Sequence, residues 1–194
     1  MKDEIRAWFT THEHGNGDFF PYPSGYPYSV VPPRPDAQFV VYCTKTTFLQ
    51  NLMHDLEGKQ PFGAIMRGGL PADDDIDWLC SQVGTRRLLF LGDADPADLL
   101  TFAWLRESLP MEYVGLSECL LQKCGVEIQD RLSIPLVDNE IAALPLVTKC
   151  LGDLDDYIGP GCSQLLSSGY KVELEALYSF AKCTREALAA ALLP

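Results

Sequence analysis

Four short apolar runs, each leading into a turn or a helix-like segment, constrain this chain more than any other feature. They are QFVVYC (38–43), PFGAIMR (61–67), RRLLFLGD (86–93) and MEYVGL (111–116). Runs of this length read as strands covered on both faces, because they lack polar alternation. After the first run, TKTTFLQNLMHDLEG places Phe48, Leu52 and Leu56 at i, i+4, i+8, with Leu49 and Met53 beside them. That is one face of a helix, and Gly58 stands near its end. GGLPADDD is a Gly/Pro turn whose acids, Asp73, Asp74 and Asp75, can cap the helix DDIDWLCSQV. Asp95 then stands at an N-cap and Pro96 at the first position of a helix over about 96–109, rich in Leu99, Leu100, Phe102 and Trp104. Strand–helix alternation predicts an α/β fold, a parallel four-stranded sheet flanked by helices.

The predicted domain covers 38–194, and its part beyond residue 117 reads as mostly helical, with Pro145 limiting or kinking one helix. Residues 1–37 form a separate arm. Its stretch GNGDFFPYPSGYPYSVVPPRPD is too rich in Pro and Gly for regular structure. Its aromatics, Phe19, Phe20, Tyr22, Tyr26 and Tyr28, predict packing on the domain or on a partner chain.

In open parallel sheets, ligands sit beyond the carboxyl ends of the strands. Those ends are predicted at Cys43, Arg67, Asp93 and Leu116, so Asp93 and Asp95 fall on that edge. Two carboxylates there can hold a hard cation such as Mg2+. They can equally cap a helix and bond a loop amide, and spacing alone leaves both readings open.

Composition narrows the function classes. Fifteen Lys+Arg against 27 Asp+Glu give a net charge of -12, which disfavours nucleic acid and anionic membranes as partners. No apolar stretch is long enough to span a bilayer. The seven cysteines include no CxxC pair, which predicts reduced thiols and a cytoplasmic protein. His12-Glu13-His14 and His54 read as surface residues, and Cys119 and Cys124 as core thiols. No Gly-Lys-Ser/Thr loop or Gly-x-Ser-x-Gly elbow occurs.

The string GDADP after an apolar strand resembles the second acidic motif of the Toprim domain, the metal-binding module of topoisomerases and primases. FVVYCTKTTFLQNL, GGLPADDDIDWL, EYVGL, and IPLVDNEIAAL with SSGYKVELEAL extend the likeness in order over residues 39–180. The nearest branch is the A subunit of topoisomerase VI and the related meiotic recombination protein. The resemblance implies a Toprim-like fold with Mg2+ held weakly by Asp93 and Asp95. It also marks departures. The family's first-strand glutamate falls on Cys43, a poor ligand for a hard ion, and Asp73, Asp74 and Asp75 are the acids that could complete the site. Only 38 residues precede Phe39 in the sequence given, fewer than the family's tyrosine-bearing cleavage domain needs.

Three expectations follow. The first is a stand-alone, non-catalytic Toprim-like accessory or structural protein, pairing with itself or with a separate protein subunit. The second is a metal-dependent nuclease or phosphotransferase acting on nucleic acid. The third is an interaction module whose arm and acidic surface dock onto a basic subunit.

Overall fold

The computed structural model describes residues 1–11, 28–55, 62–128, 133–178 and 185–192. The elements run α1 (Lys2–Thr11), β1 (Ser29–Val31), β2 (Phe39–Cys43), α2 (Thr46–Asp55), β3 (Gly63–Met66), a 3-10 turn (Asp73–Asp75), α3 (Ile76–Val83), β4 (Arg87–Leu91), α4 (Pro96–Arg106) and β5 (Met111–Tyr113). They continue as α5 (Glu118–Lys123), β6 (Ile134–Pro135), α6 (Asp138–Leu151), α7 (Asp155–Ser167), β7 (Tyr170–Lys171), α8 (Glu175–Tyr178) and α9 (Arg185–Leu192).

The main sheet has the order β1-β3-β2-β4-β5. β2, β3, β4 and β5 are mutually parallel and correspond to the four apolar runs. The sheet has five strands rather than four. Val31 of β1 pairs antiparallel with Ala64 of β3, so the arm supplies an edge strand. Short flanking prolines hid it, because Pro32 and Pro33 leave only three residues able to join a ladder. The arm's first ten helical residues were also unread. α1 buries Ile5, Trp8 and Phe9, and it lays the Lys2 ammonium 4.1 Å from the centre of the Trp104 ring.

Sandwiching explains why α4 is apolar on every side. Phe102 meets Phe90 of β4 at 5.4 Å between ring centres, while α1 and α6 cover the helix from outside. Every residue from Pro96 to Leu105 is buried, and each large apolar side chain so covered contributes about 1.5–3 kcal/mol. The helix ends at Arg106, slightly before the predicted 109. α6 runs through Pro145 without a break. Cys124 is buried as expected, but Cys119 is exposed, because it stands on the outward side of the one-and-a-half-turn helix α5 whose buried positions are Leu120 and Leu121. His54 is exposed. His12, Glu13, His14, Phe19, Phe20, Tyr22, Tyr26 and Cys183 lie outside the described residues. No helix of the described residues is long and apolar enough to cross a membrane.

Candidate metal centre

β4 delivers the chain to the carboxyl edge of the sheet, and Gly92 makes the next step possible. A side chain there would meet Asp98 Oδ2 at 2.8 Å, so only glycine lets this carboxylate approach the backbone. Asp98 uses that approach. Its Oδ2 accepts from the Asp93 amide at 2.7 Å and from Thr44 Oγ1 at 2.8 Å. Asp95 has extended backbone and caps α4, accepting from the Asp98 amide at 2.8 Å with Pro96 behind it. The cap reading of the sequence is therefore present in the structure. It does not exclude the other one. Asp93, Asp95 and Asp98 are all buried, and each offers an oxygen within 4.8 Å of the others, a group that could bind a metal ion.

The rest of the centre comes from distant sequence. The Leu174 amide donates to Asp93 Oδ1 at 2.7 Å, and Ala94 forms a bridge with Val172. The stretch GYKVELEAL is thus folded back onto the acidic loop. Tyr113 donates its hydroxyl to the carbonyls of Asp93 (3.0 Å) and Leu116 (3.2 Å), fixing the loop from β5.

Two lysines answer the acids. Lys45 Nζ lies 2.5 Å from Asp93 Oδ2. Lys171 Nζ lies 2.7 Å from Glu140 Oε1, with Glu173 at 3.6 Å and Asp95 at 3.7 Å. Glu140 also accepts from the Val137 amide at 3.0 Å, so the carboxylate that holds Lys171 caps α6 as well.

The electrostatics follow from burial. Burial pushes the Asp93 carboxyl well above the usual range, Asp98 and Asp95 add to this, and Lys45 opposes it. Asp98 is pushed up to about 7 by burial and by Asp95, against Lys45 and its own two hydrogen bonds. Burial works to lower Lys45, but Asp93 and Asp98 outweigh it and the ammonium's pKa rises. Lys171 behaves alike, burial being outweighed by Asp95 and Glu140. The centre is therefore overloaded with negative charge and holds its cations tightly.

Cys43 ends β2 beside this group. It is fully buried, and burial raises its thiol well above the ordinary cysteine value. Its Sγ donates to the Lys45 carbonyl at 3.4 Å. A neutral thiol committed as a donor is no ligand for a hard ion.

Asp73, Asp74 and Asp75 do not join the group among the described residues. Asp73 pairs with Arg6 at 3.3 Å, and Asp74 is exposed. Asp75 turns inward to Arg67 (2.6 Å) and to the Tyr28 hydroxyl (2.8 Å). Consequently its carboxylate does not cap α3, as the sequence pattern suggested. Asp98, Lys45 and Lys171 were missed. Asp98 stands in the first turn of an apolar helix, and neither lysine belongs to a run of basic residues, so none of the three stands out in the sequence. A signal existed for Lys45, which follows a strand end by two residues on the same edge. Lys171 lies within a stretch that the Toprim likeness had already marked.

No family model matches this chain, and no curated protein matches it.

In donor type the centre fits a small hard cation. Three carboxylates supply oxygens, as Mg2+ prefers. Yet both oxygens of Asp93 already have partners, one a backbone amide and the other an ammonium. A divalent ion at Asp93 would have to displace Lys45, while Asp95 and Asp98 would keep their backbone bonds through one oxygen each.

Proposed function

We propose that this chain is a Toprim-like accessory or structural protein that carries out no catalysis at its acidic centre and binds Mg2+ weakly. One observation supports this reading above the rest, the Lys45 ammonium 2.5 Å from the fully buried Asp93 carboxylate. The lysine neutralises from within the charge that a metal would otherwise neutralise. A cation tethered to the fold acts at high effective concentration, so a free ion competes against it poorly. Binding then requires the Lys45 side chain to swing outward, and it is partly exposed already (27 %).

Magnesium titration by calorimetry, run on the wild type, Asp93→Asn and Lys45→Met, tests this. The wild type should bind in the millimolar range or weaker. Lys45→Met should bind at least about tenfold more tightly, a gain of about 1.4 kcal/mol, and Asp93→Asn should not bind. Equal, negligible heats in all three proteins would reject the metal part of the reading.

A second reading draws on Asp98. With it the centre has three acids again, despite Cys43. A metal-dependent nuclease or phosphotransferase could use such a set. Labelled single- and double-stranded DNA and RNA, incubated with Mg2+ or Mn2+, separate the readings. Cleavage by the wild type and none by Asp93→Asn would favour the enzyme over the accessory protein.

A further inference from the structure

Glu140 is 3 % exposed, and a glutamate so deeply buried needs partners for its oxygens. Its Oε2 accepts from the Val137 amide at 3.0 Å, where it caps α6, and its Oε1 lies 2.7 Å from Lys171 Nζ. Helix α6 packs along α4, so this carboxylate stands on a rigid support. Lys171 is fixed at its base as well. It pairs with Ile134 in the β6–β7 ribbon, and the next residue, Val172, forms an antiparallel bridge with Ala94. Along that bridge the next residues to face each other are Asp95 and Lys171. The two main chains are therefore held together, and only the lysine side chain decides where its ammonium rests.

The ammonium rests with Glu140. It lies 3.7 Å from Asp95 Oδ2, beyond hydrogen-bond reach, although Asp95 faces it across the bridge. The consequence falls on Asp95. Its Oδ1 is taken by the Asp98 amide, and among the described residues no hydrogen bond reaches its Oδ2. An oxygen in that state, on a carboxylate only 2 % exposed, is one that a hard cation can ligate. Without Glu140 the ammonium would turn to Asp95 rather than to Glu173 at 3.6 Å. The Glu173 side chain is 36 % exposed, and the attraction strengthens where water is excluded. We propose that Glu140 is a positioning residue for the cation site: by drawing Lys171 aside it keeps Asp95 Oδ2 open, so that Mg2+ entering past Lys45 meets an oxygen on Asp95 and not a second tethered cation. This rests on the metal reading above and adds a part to it. Of the two lysines, Lys45 closes the site, and Lys171 is kept from closing it.

Magnesium titration by calorimetry on the full chain tests this in the Lys45→Met background, the variant expected to bind most tightly. Glu140→Gln keeps an oxygen for the Val137 amide but loses the charge that holds Lys171. It should bind Mg2+ at least about fivefold more weakly than the background, and adding Lys171→Met should restore the affinity. Glu173→Gln removes an equal charge from beside Lys171 and should cost less than about twofold. Circular dichroism spectra should be alike in all of these. A second measurement needs no metal. A double-mutant cycle of Asp95→Asn and Lys171→Met, read by urea unfolding, should show stronger coupling in Glu140→Gln than in the protein with Glu140 intact. Undiminished affinity in Glu140→Gln would overturn the proposal. So would a loss that Lys171→Met leaves in place, since that would make Glu140 a helix cap alone. Absence of Mg2+ heats in every variant, Lys45→Met included, would reject the metal reading itself. Equal coupling in the two backgrounds would overturn the hold of Glu140 on Lys171 whether or not magnesium binds.

Discussion

Two buried clusters of this protein hold aspartates, and they solve the same electrostatic problem differently. At one, Asp75 meets the guanidinium of Arg67. Arg67 is itself buried, lies over the Tyr28 ring with its charge centre 4.6 Å away, and donates to both the Tyr28 hydroxyl and the Asp75 carboxylate. One guanidinium nitrogen bridges the hydroxyl and the carboxylate while the planar group stacks on the ring. At the other, three carboxylates share two flexible ammoniums that reach in along partly exposed side chains. The first arrangement is a fixed rivet, joining the arm to β3 and to the turn before α3. The second is an uneven balance that a proton or a cation can shift. Burial alone therefore does not distinguish the two clusters, whereas the kind and exposure of the cations that meet them does.

Breaking the rivet should have the largest effect. Arg67→Met takes the guanidinium away from the buried Asp75 carboxylate, and urea unfolding should show a loss of about 3–5 kcal/mol. A loss under 1 kcal/mol would place both clusters in one class. At the acidic centre the expected signature is pH dependence. Burial raises the Asp98 carboxyl to about 7, so the folded chain holds a proton there that the unfolded chain releases. Stability tied to this group is complete below the ordinary aspartate range and is lost as pH rises toward 7. Asn at this position keeps an oxygen for the Asp93 amide and Thr44 but cannot ionise. Asp98→Asn should therefore gain on the wild type between pH 4 and 7, by on the order of 2 kcal/mol. Parallel stability curves for the two proteins over that range would contradict this. The smallest effect belongs to Tyr28→Phe. It removes one hydroxyl from the rivet and leaves the Arg67–Asp75 pair, so a loss of about 1 kcal/mol is expected.

The same contrast shows what the sequence made legible. Continuous apolar runs announced β2, β3, β4 and β5, since burial on both faces leaves a one-dimensional trace. Asp95-Pro96 announced the start of α4, because capping is a local matter. β1 left almost no trace, being three residues between prolines and held mainly by its partner β3. The partners of the acids were harder still. Asp75 and Arg67 are eight residues apart, yet nothing local says that a chain of aspartates will turn its last member inward. Lys45 precedes Asp93 by 48 positions and Lys171 follows it by 78, so their pairing is a property of the folded sheet edge. A pattern in sequence reveals elements, while the neutralising of a buried charge depends on contacts that only the tertiary fold creates.

The bond from the Leu174 amide to Asp93 spans 81 residues. Closing so long a stretch costs chain entropy before any contact rewards it. The Asp93 carboxylate therefore cannot receive its last donor while the sheet alone has formed. It must wait for β7 and the residues after it to return to the sheet edge. In temporal terms the acidic centre is a late product of folding. The tuning of this site is thus acquired by the chain's final docking step, and a nascent protein that has not yet released residue 174 does not possess it.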